Sequence, residues 1–335
     1  MDMRACVARR NKGEVCIRMK KSKHKLVTLG ILFTVATGII YLINRLIFAS
    51  ATLKDLLKSS ANNYYNWRFG KIYYKKKGSG SPILLIHDLT VYSSAYEWKN
   101  VIDNLAKSHT VYAVDLLGCG RSEKPRITYT NYLYVQLISD FIKNVIHEKT
   151  DIVASGYSGS FSILACHNES SLFGKIFLVN PPELTTLNKI PGKKSKLYKF
   201  LLELPVFGTL VYNMITCQSN VQLLFTENYL YNPFDVTAEM IDTYYEAAHK
   251  GFSNSKFLLS SIIGCYTNNS INHALRETNQ SIILITGEEE ENGKNVQNSY
   301  TSINPSIETC YIEKTKHLPH LEAANRFIEF MNIYL

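Results

Sequence analysis

Two rhythms of apolar residues run along this chain. From residue 67 onward, short runs that are apolar at nearly every position recur: Ile83–Ile86 in "SPILLIHDL", then "TVYAV", "DIVAS", "KIFLV" and "SIILITG". Runs of that length without alternation predict strands buried on both faces, as in a parallel sheet. "FGKIYYKKK" instead alternates apolar and polar and, with the turn "GSGSP" after it, predicts a strand leading into the first buried one. Between the runs, "SSAYEWKNVIDNLAKS" and "YVQLISDFIKNVIHE" space their apolar residues for amphipathic helices, the first with serines suited to its N-cap. Strand and helix in alternation with short connections predict a doubly wound, mostly parallel α/β sheet over residues 67–335.

Within that domain the rhythm changes at about 183–278. Only helical spacing is found there, as in "KLYKFLLELPVFGTLVYNMI" and "AEMIDTYYEAAHKGF". The sheet resumes at "SIILITG" and "IETCYIEKTKH", and the chain closes on the helical "LEAANRFIEFMNIYL". An all-helical insertion inside an α/β sheet predicts a cap over a site. Its apolar residues (Leu201, Leu202, Phe207, Leu210, Val211, Tyr212, Met214) suit either the cap's own core or a wall for a hydrophobic group.

Ahead of the domain, "LVTLGILFTVATGIIYLI" (26–43) holds no charge. As a helix it would be about 27 Å long, enough for the hydrocarbon layer of a bilayer. A cleaved signal peptide is the competing reading, with "ASA" at 49–51 as the cleavage site; the length of the run, and Asn44 and Arg45 between it and that site, favour an uncleaved anchor. Residues 44–66 then form a polar connector.

Charge changes the picture once it is located. The 335 residues hold 37 Lys and Arg against 28 Asp and Glu, a net +9, but nine of those cations and only two of the acids lie in residues 1–25. A basic tail on a nearly neutral body argues against a nucleic-acid surface. Beside an apolar span it predicts a cytoplasmic tail, with the domain on the other side of the membrane. The seven cysteines (6, 16, 119, 166, 217, 265, 310) show no metal-ligand spacing, and the five in the body are an odd number.

"ILLIHDL", "VDLLGCGRSEKP" (114–125), "GYSGS" (156–160), "LITGEEE" and "KHLPHLE" follow one another in an order and at distances that resemble the α/β-hydrolase family, over roughly residues 67–335. The second stretch is close to the family's DxxGxGxSxxP loop, in which Asp115 and Arg121 would fix the loop and Cys119 would be inert. The resemblance implies an α/β-hydrolase fold with a helical cap, a small-molecule substrate and no cofactor or metal. It puts the catalytic histidine at His317, whose imidazole can accept and return a proton near neutrality. His320, three residues on, would serve packing or a pocket contact. The acid that orients the histidine would be Glu290, by G-x-x-acid spacing from Gly287, within the run Glu288 to Glu291.

The nucleophile can be read in two registers. Taken literally, Gly156-Tyr157-Ser158-Gly159-Ser160 is a G-x-S-x-small elbow with Ser158 as nucleophile. Aligned on the apolar pair Ile152–Val153, the stretch instead puts Gly156 at the reactive position; Ser155 is a third option. The Ser158 register is preferred because only it supplies a nucleophile with the right neighbours. Its oxyanion donors would then be the N–H groups of Gly159 and Leu89. Asp88 stands where the family usually has glycine, and a carboxylate there opposes an oxyanion unless it is paired or turned away.

The expected function is therefore a membrane-anchored serine hydrolase of an ester, thioester or similar carbonyl, acting through Ser158, His317 and Glu290. Dehalogenases and epoxide hydrolases of the family recede, since "GYSGS" has no aspartate to act as nucleophile. The rival expectation is a binding or scaffolding protein that keeps the fold with Gly156 at the nucleophile position. A third is proton transfer by His317 without a covalent intermediate.

Overall fold

The computed structural model describes residues 3–58 and 63–335, with side chains from residue 25 onward; the side chains of the tail before that, those of Cys6 and Cys16 included, lie outside what it describes. Eight strands form one sheet: β1 (Asn63–Trp67), β2 (Gly70–Lys77), β3 (Ser81–Ile86), β4 (His109–Val114), β5 (Thr150–Ser155), β6 (Phe173–Val179), β7 (Ile282–Gly287) and β8 (Glu308–Ile312). Their spatial order is β1-β2-β4-β3-β5-β6-β7-β8. The first two pairings, β1 with β2 and β2 with β4, are antiparallel, and the rest are parallel.

The wholly apolar runs are the central strands. Ile83, Leu84, Leu85 and Ile86 of β3 are buried, as are Ile152, Val153 and Ala154 of β5 and Ile282 through Ile285 of β7. Helices cover both faces, so neither side of these strands meets water, which is why their sequences do not alternate. β3, β5, β6 and β7 run parallel, so their carboxyl ends gather at one edge of the sheet. The residues that follow those ends build the site.

Three local readings differ from the structure. Asn63–Trp67, read as connector, is the antiparallel edge strand β1, paired with β2 through Trp67↔Gly70. "SSAYEWKNVIDNLAKS" forms two short helical turns, Ala95–Trp98 and Ile102–Leu105. The stretch 196–215 breaks at Leu204–Pro205, where proline lacks the N–H and its ring forces the preceding residue out of helical geometry. The helical stretches on either side, Lys193–Glu203 and Phe207–Tyr229, meet at 105°.

Between β6 and β7 the chain is helical throughout and sits over the carboxyl ends of the strands. The N-terminal helix, Met3–Ala51, extends past the apolar span into the stretch read as connector. One helix among the described residues, Lys25–Ala51, is long and apolar enough to cross a membrane. Its last turns dock on the cap. Asn44, Phe48 and Ala51 are buried at helical spacing. Asn44 donates to Val206 O at 3.0 Å and accepts from Asn213 Nδ2 at 2.9 Å. The buried carboxylate of Glu246 then receives Leu56 N (2.6 Å) and Leu57 N (3.2 Å), fastening the chain to cap helix Ala238–His249.

Candidate active site

β5 ends at Ser155 and the helix Ser158–Asn168 begins three residues later. The turn between them falls on Gly156, which adopts φ +53°, a left-handed conformation that glycine takes at little steric cost. Gly156 N donates to Val179 O of β6 at 2.9 Å, so the elbow is fixed to the neighbouring strand. The register follows from the sheet. Ile152 and Val153 pair with Leu84 and Leu85 in the core, which leaves Gly156, not Ser158, at the end of the strand.

Ser158 is thus corrected as the elbow residue. It lies in the first turn of the helix, fully buried, and its hydroxyl donates to His87 O at 2.5 Å. Gly159 moves with it: its N–H donates to Gly156 O at 3.2 Å, inside the helical turn, and does not face the site. Ser155 is buried in the last position of β5. The N–H of the residue after the elbow glycine belongs to Tyr157.

The side chain that fills the elbow's place comes from the neighbouring strand. A Cβ on Gly156 would stand 2.0 Å from Asp88 Oδ1 and 2.2 Å from Asp88 Cγ. Asp88 follows β3, and its Oδ1 accepts hydrogen bonds from Leu89 N (2.8 Å) and Tyr157 N (2.7 Å). Those two amides converge on one point, as oxyanion donors do. Leu89 therefore stands where expected, Tyr157 replaces Gly159, and the aspartate's own carboxylate oxygen occupies the hole.

Asp88 is held from behind as well. His87 Nε2 accepts from Leu116 N at 3.0 Å, which leaves its proton on Nδ1, 2.6 Å from Asp88 O. Glu97, fully buried, accepts from Asp88 N at 3.3 Å. His320, also buried, lies 3.3 Å from the same carboxylate and stacks on Trp98 with ring centroids 4.0 Å apart. Burial lowers the pKa of His320, with the charge of His317 acting in the same direction and Glu97 opposing both.

At the other end of the site the expected geometry is present. Glu290 sits in the turn after β7, its N–H donating to Gly287 O, and its Oε1 lies 3.0 Å from His317 Nδ1. His317 Nε2 points the other way, 3.6 Å from Asp88 Oδ2. Asn180 secures the histidine loop, donating to Lys316 O and His317 O (both 2.9 Å) while accepting from Gly287 N (3.1 Å). Tyr229 of the cap stacks on the His317 ring at 5.3 Å. Burial disfavours the imidazolium, but the carboxylates of Asp88 and Glu290 outweigh it and raise the His317 pKa to about 10. The site is thus a row of three, with the imidazole of His317 between the carboxyl groups of Asp88 and Glu290.

A cavity of about 270 Å³ opens beside this row, lined by Asp88, Tyr157, Glu183, Glu290, Glu291 and His317 among others. Burial and Asp88 push the Tyr157 hydroxyl up to about 12, so it remains protonated. Asp115, Arg121 and Cys119 stay outside the site. Arg121 pairs with Asp115 through Nε (2.7 Å) and a terminal nitrogen (2.8 Å), and Ala95 N donates to the same carboxylate. Cys119 is buried, which raises its thiol well above the ordinary range.

Asp88 is the residue that reading the sequence missed as a member of the site. The available signal was its replacement of a glycine beside the first core strand, coupled with a glycine at the elbow in the second register. Each oddity makes room for the other.

The curated relatives share a limited part of the chain. A soluble epoxide hydrolase of Corynebacterium sp. (strain C12) is 30% identical over 122 residues, 36% of this chain and 39% of that protein. The 2-hydroxy-6-oxo-6-(2'-aminophenyl)hexa-2,4-dienoic acid hydrolase of Metapseudomonas resinovorans is 35% identical over 100 residues, 29% of this chain and 34% of its own length. The matched stretch thus spans less than half of these relatives. Among solved structures, a serine hydrolase involved in carbazole degradation superposes with a TM-score of 0.66 at 18% identity, over 82% of this chain and 99% of that one. At that identity the likeness shows the fold. The Alpha/beta hydrolase family profile matches residues 83–330, most of the chain, and on that match and the eight-stranded sheet the protein belongs to the alpha/beta hydrolase family.

Proposed function

We propose that this protein is a hydrolase whose nucleophile is the carboxylate of Asp88, acting on an electrophilic sp³ carbon such as that of an epoxide. The observation that carries the reading is the position of Asp88 Oδ1, between Leu89 N and Tyr157 N and within 2.0 Å of where an elbow Cβ would be. An ester or thioester substrate needs that hole for its own carbonyl oxygen, and a resident carboxylate excludes it by charge and volume. Attack on an alkyl carbon needs no hole in its first step.

The steps balance on the chain's own residues. Asp88 Oδ2 attacks the epoxide carbon, the C–O bond breaks, and the emerging alkoxide takes the proton of the His317 imidazolium. Asp88 is then an alkyl ester and its charge is gone, which removes one of the two interactions that raised the His317 pKa. Neutral His317 now accepts a proton from a water that attacks Cγ of Asp88. The oxyanion forms on Oδ1, already between the two amides. Collapse releases the diol, with His317 returning a proton to the leaving oxygen. The new carboxylic acid then passes its proton to His317 and regenerates the starting row. Glu290 orients the imidazole throughout. The similarity to an epoxide hydrolase agrees with this substrate class.

The test is to trap the ester. His317→Gln removes the base of the second step and the proton donor of the first, which solvent water can replace more slowly, so prolonged incubation with a small terminal epoxide should leave the full mass of that epoxide on the peptide containing Asp88. Asp88→Asn should carry nothing, and a single turnover of the unmodified protein in ¹⁸O water should place the label in Asp88. A second reading rests on the same filled hole: a binding or scaffolding protein in which the Asp88–His317–Glu290 row is a neutralised structural pair. That reading predicts neither adduct nor turnover with any alkyl electrophile.

We also propose that residues 26–43 anchor the domain in a membrane, with the basic tail cytoplasmic and the domain on the other side. The helix Lys25–Ala51, whose most apolar eighteen residues are unburied, supports it. External protease on intact cells should remove the domain; a domain that survives would reverse the orientation.

A further inference from the structure

A second cavity, of about 420 Å³, lies between the N-terminal helix and the cap and shares no lining residue with the cavity at the Asp88 row. Its walls include Tyr41 and Arg45 of the helix, Arg126 of the loop after β4, and Glu203, Lys256 and Phe252 of the cap. Three cations therefore face one acid. That acid is already engaged: Glu203 pairs with Lys199 and accepts from Ser260 Oγ at 2.7 Å. Lys256 is 4% exposed, and its ammonium is held by two neutral acceptors, Leu204 O (2.8 Å) and Thr209 Oγ1 (3.2 Å). Burial lowers its pKa, as does Arg126 nearby. A buried ammonium with the Arg126 guanidinium near it and Arg45 on the wall of the same cavity is a place where an anion lowers the energy.

The surface around the cavity says where the anion comes from. Leu197, Phe200 and Leu201 of the helix Lys193–Glu203 are exposed, and so are Phe207, Val211 and Met214 of the helix Phe207–Ile215. Phe207 touches Phe33 of the apolar helix, with ring centroids 5.9 Å apart, so the cap's apolar surface continues that of the span. Tyr41 and Arg45 stand at the domain end of the uncharged run, the level at which aromatic and basic residues meet headgroups. Exposed apolar helices with cations beside them suit the boundary of a bilayer.

From this juxtaposition we infer that the cavity is a headgroup site for an anionic phospholipid, whose phosphate is bound by Arg45, Arg126 and Lys256 while its acyl chains lie over the cap's apolar helices. The inference rests on the membrane-anchored reading given above and adds to it a lipid ligand and a docking face on the cap. The site would hold the cap against the membrane, with its Phe207 edge dipping into the hydrocarbon layer beside Phe33.

The full-length chain is placed in nanodiscs of phosphatidylcholine with or without phosphatidylglycerol, and retained lipid is read by native mass spectrometry together with the melting temperature. The expected result is one retained phosphatidylglycerol and a higher melting temperature in its presence. Arg45→Gln and Arg126→Gln, both at exposed positions, should each reduce retention by roughly tenfold, while Lys107→Gln, a cation remote from the cavity, should not. Equal retention in all variants would overturn the proposal. A matching shift produced by inorganic phosphate in neutral discs would overturn the lipid source and leave a soluble anion. Alkaline carbonate extraction of membranes separates the two failures: a chain that leaves the membrane refutes the anchor, whereas an anchored chain without lipid retention refutes only the site.

Discussion

The two ends of the site differ in how closely they keep to the family pattern. At the β7 and β8 end, Glu290 and His317 sit at the expected spacing and within 3.0 Å of each other. At the β3 and β5 end, the side chain expected at the elbow is missing and a carboxylate from the adjacent strand fills its volume. The acid–base end depends on a turn of fixed length after one strand and a loop after the next, both local. The nucleophile end depends on two chain segments about seventy residues apart that meet only because β3 and β5 are neighbours. On the proposed reading the nucleophile has been relocated between strands without disturbing the base that serves it, because the replacement reaches the same point in space.

The largest expected effect tests that relocation directly. Asp88→Asn should abolish the covalent intermediate and lower turnover by roughly four orders of magnitude or more, because the amide is a poor nucleophile in the same place. Turnover of epoxide that survives in this variant would return the site to a water-activating or serine-based scheme. Next comes Gly156→Ser. Its Cβ would collide with Asp88, so it should lose epoxide turnover and gain no labelling by a fluorophosphonate probe. The double variant Gly156→Ser/Asp88→Gly empties the hole, and only there should labelling appear; labelling of the single variant would mean that Asp88 swings aside.

His317→Gln should leave the first step measurable while slowing hydrolysis of the ester by roughly 10²–10⁴-fold, so that the adduct accumulates. The pH dependence of stability is smaller and has a definite sign. The folded pKa of His317 is raised to about 10, so the stabilisation from its charged form is fully present below about 6.5. It declines as pH rises through about 10. Thermal melting of the unmodified protein should fall across that window, and Asp88→Asn should flatten the change. Last, Ser158→Ala should keep turnover and cost about 1–2 kcal/mol of stability through the lost bond to His87 O, measured by denaturant unfolding.

Much of this was legible before the fold was known, for local reasons. Continuous apolar runs mark strands covered on both faces, so the central strands and their order along the chain follow from the residues alone. The change to helical spacing after Pro182 marks the cap, and the spacing from Gly287 and the loop after β8 mark Glu290 and His317. The helix break at Leu204–Pro205 has a local cause in the proline, but the helical spacing of 196–215 concealed it. The edge strand Asn63–Trp67 was not legible, because its polar and aromatic mixture becomes a strand only when β2 offers it hydrogen bonds.

The elbow marks the limit. "ASGYSGS" supports either register on its own, and local spelling favours Ser158. Tertiary structure decides for Gly156, because pairing Ile152 and Val153 with Leu84 and Leu85 places the end of β5 one residue before that glycine. It also decides what stands there in place of a side chain. The sequence by itself determined that a histidine and a carboxylate await a partner at the carboxyl ends of a parallel sheet. That the partner is Asp88 could come only from the packed fold, since the space it fills belongs to the side chain that Gly156 lacks, and such a vacancy exists only between neighbouring strands.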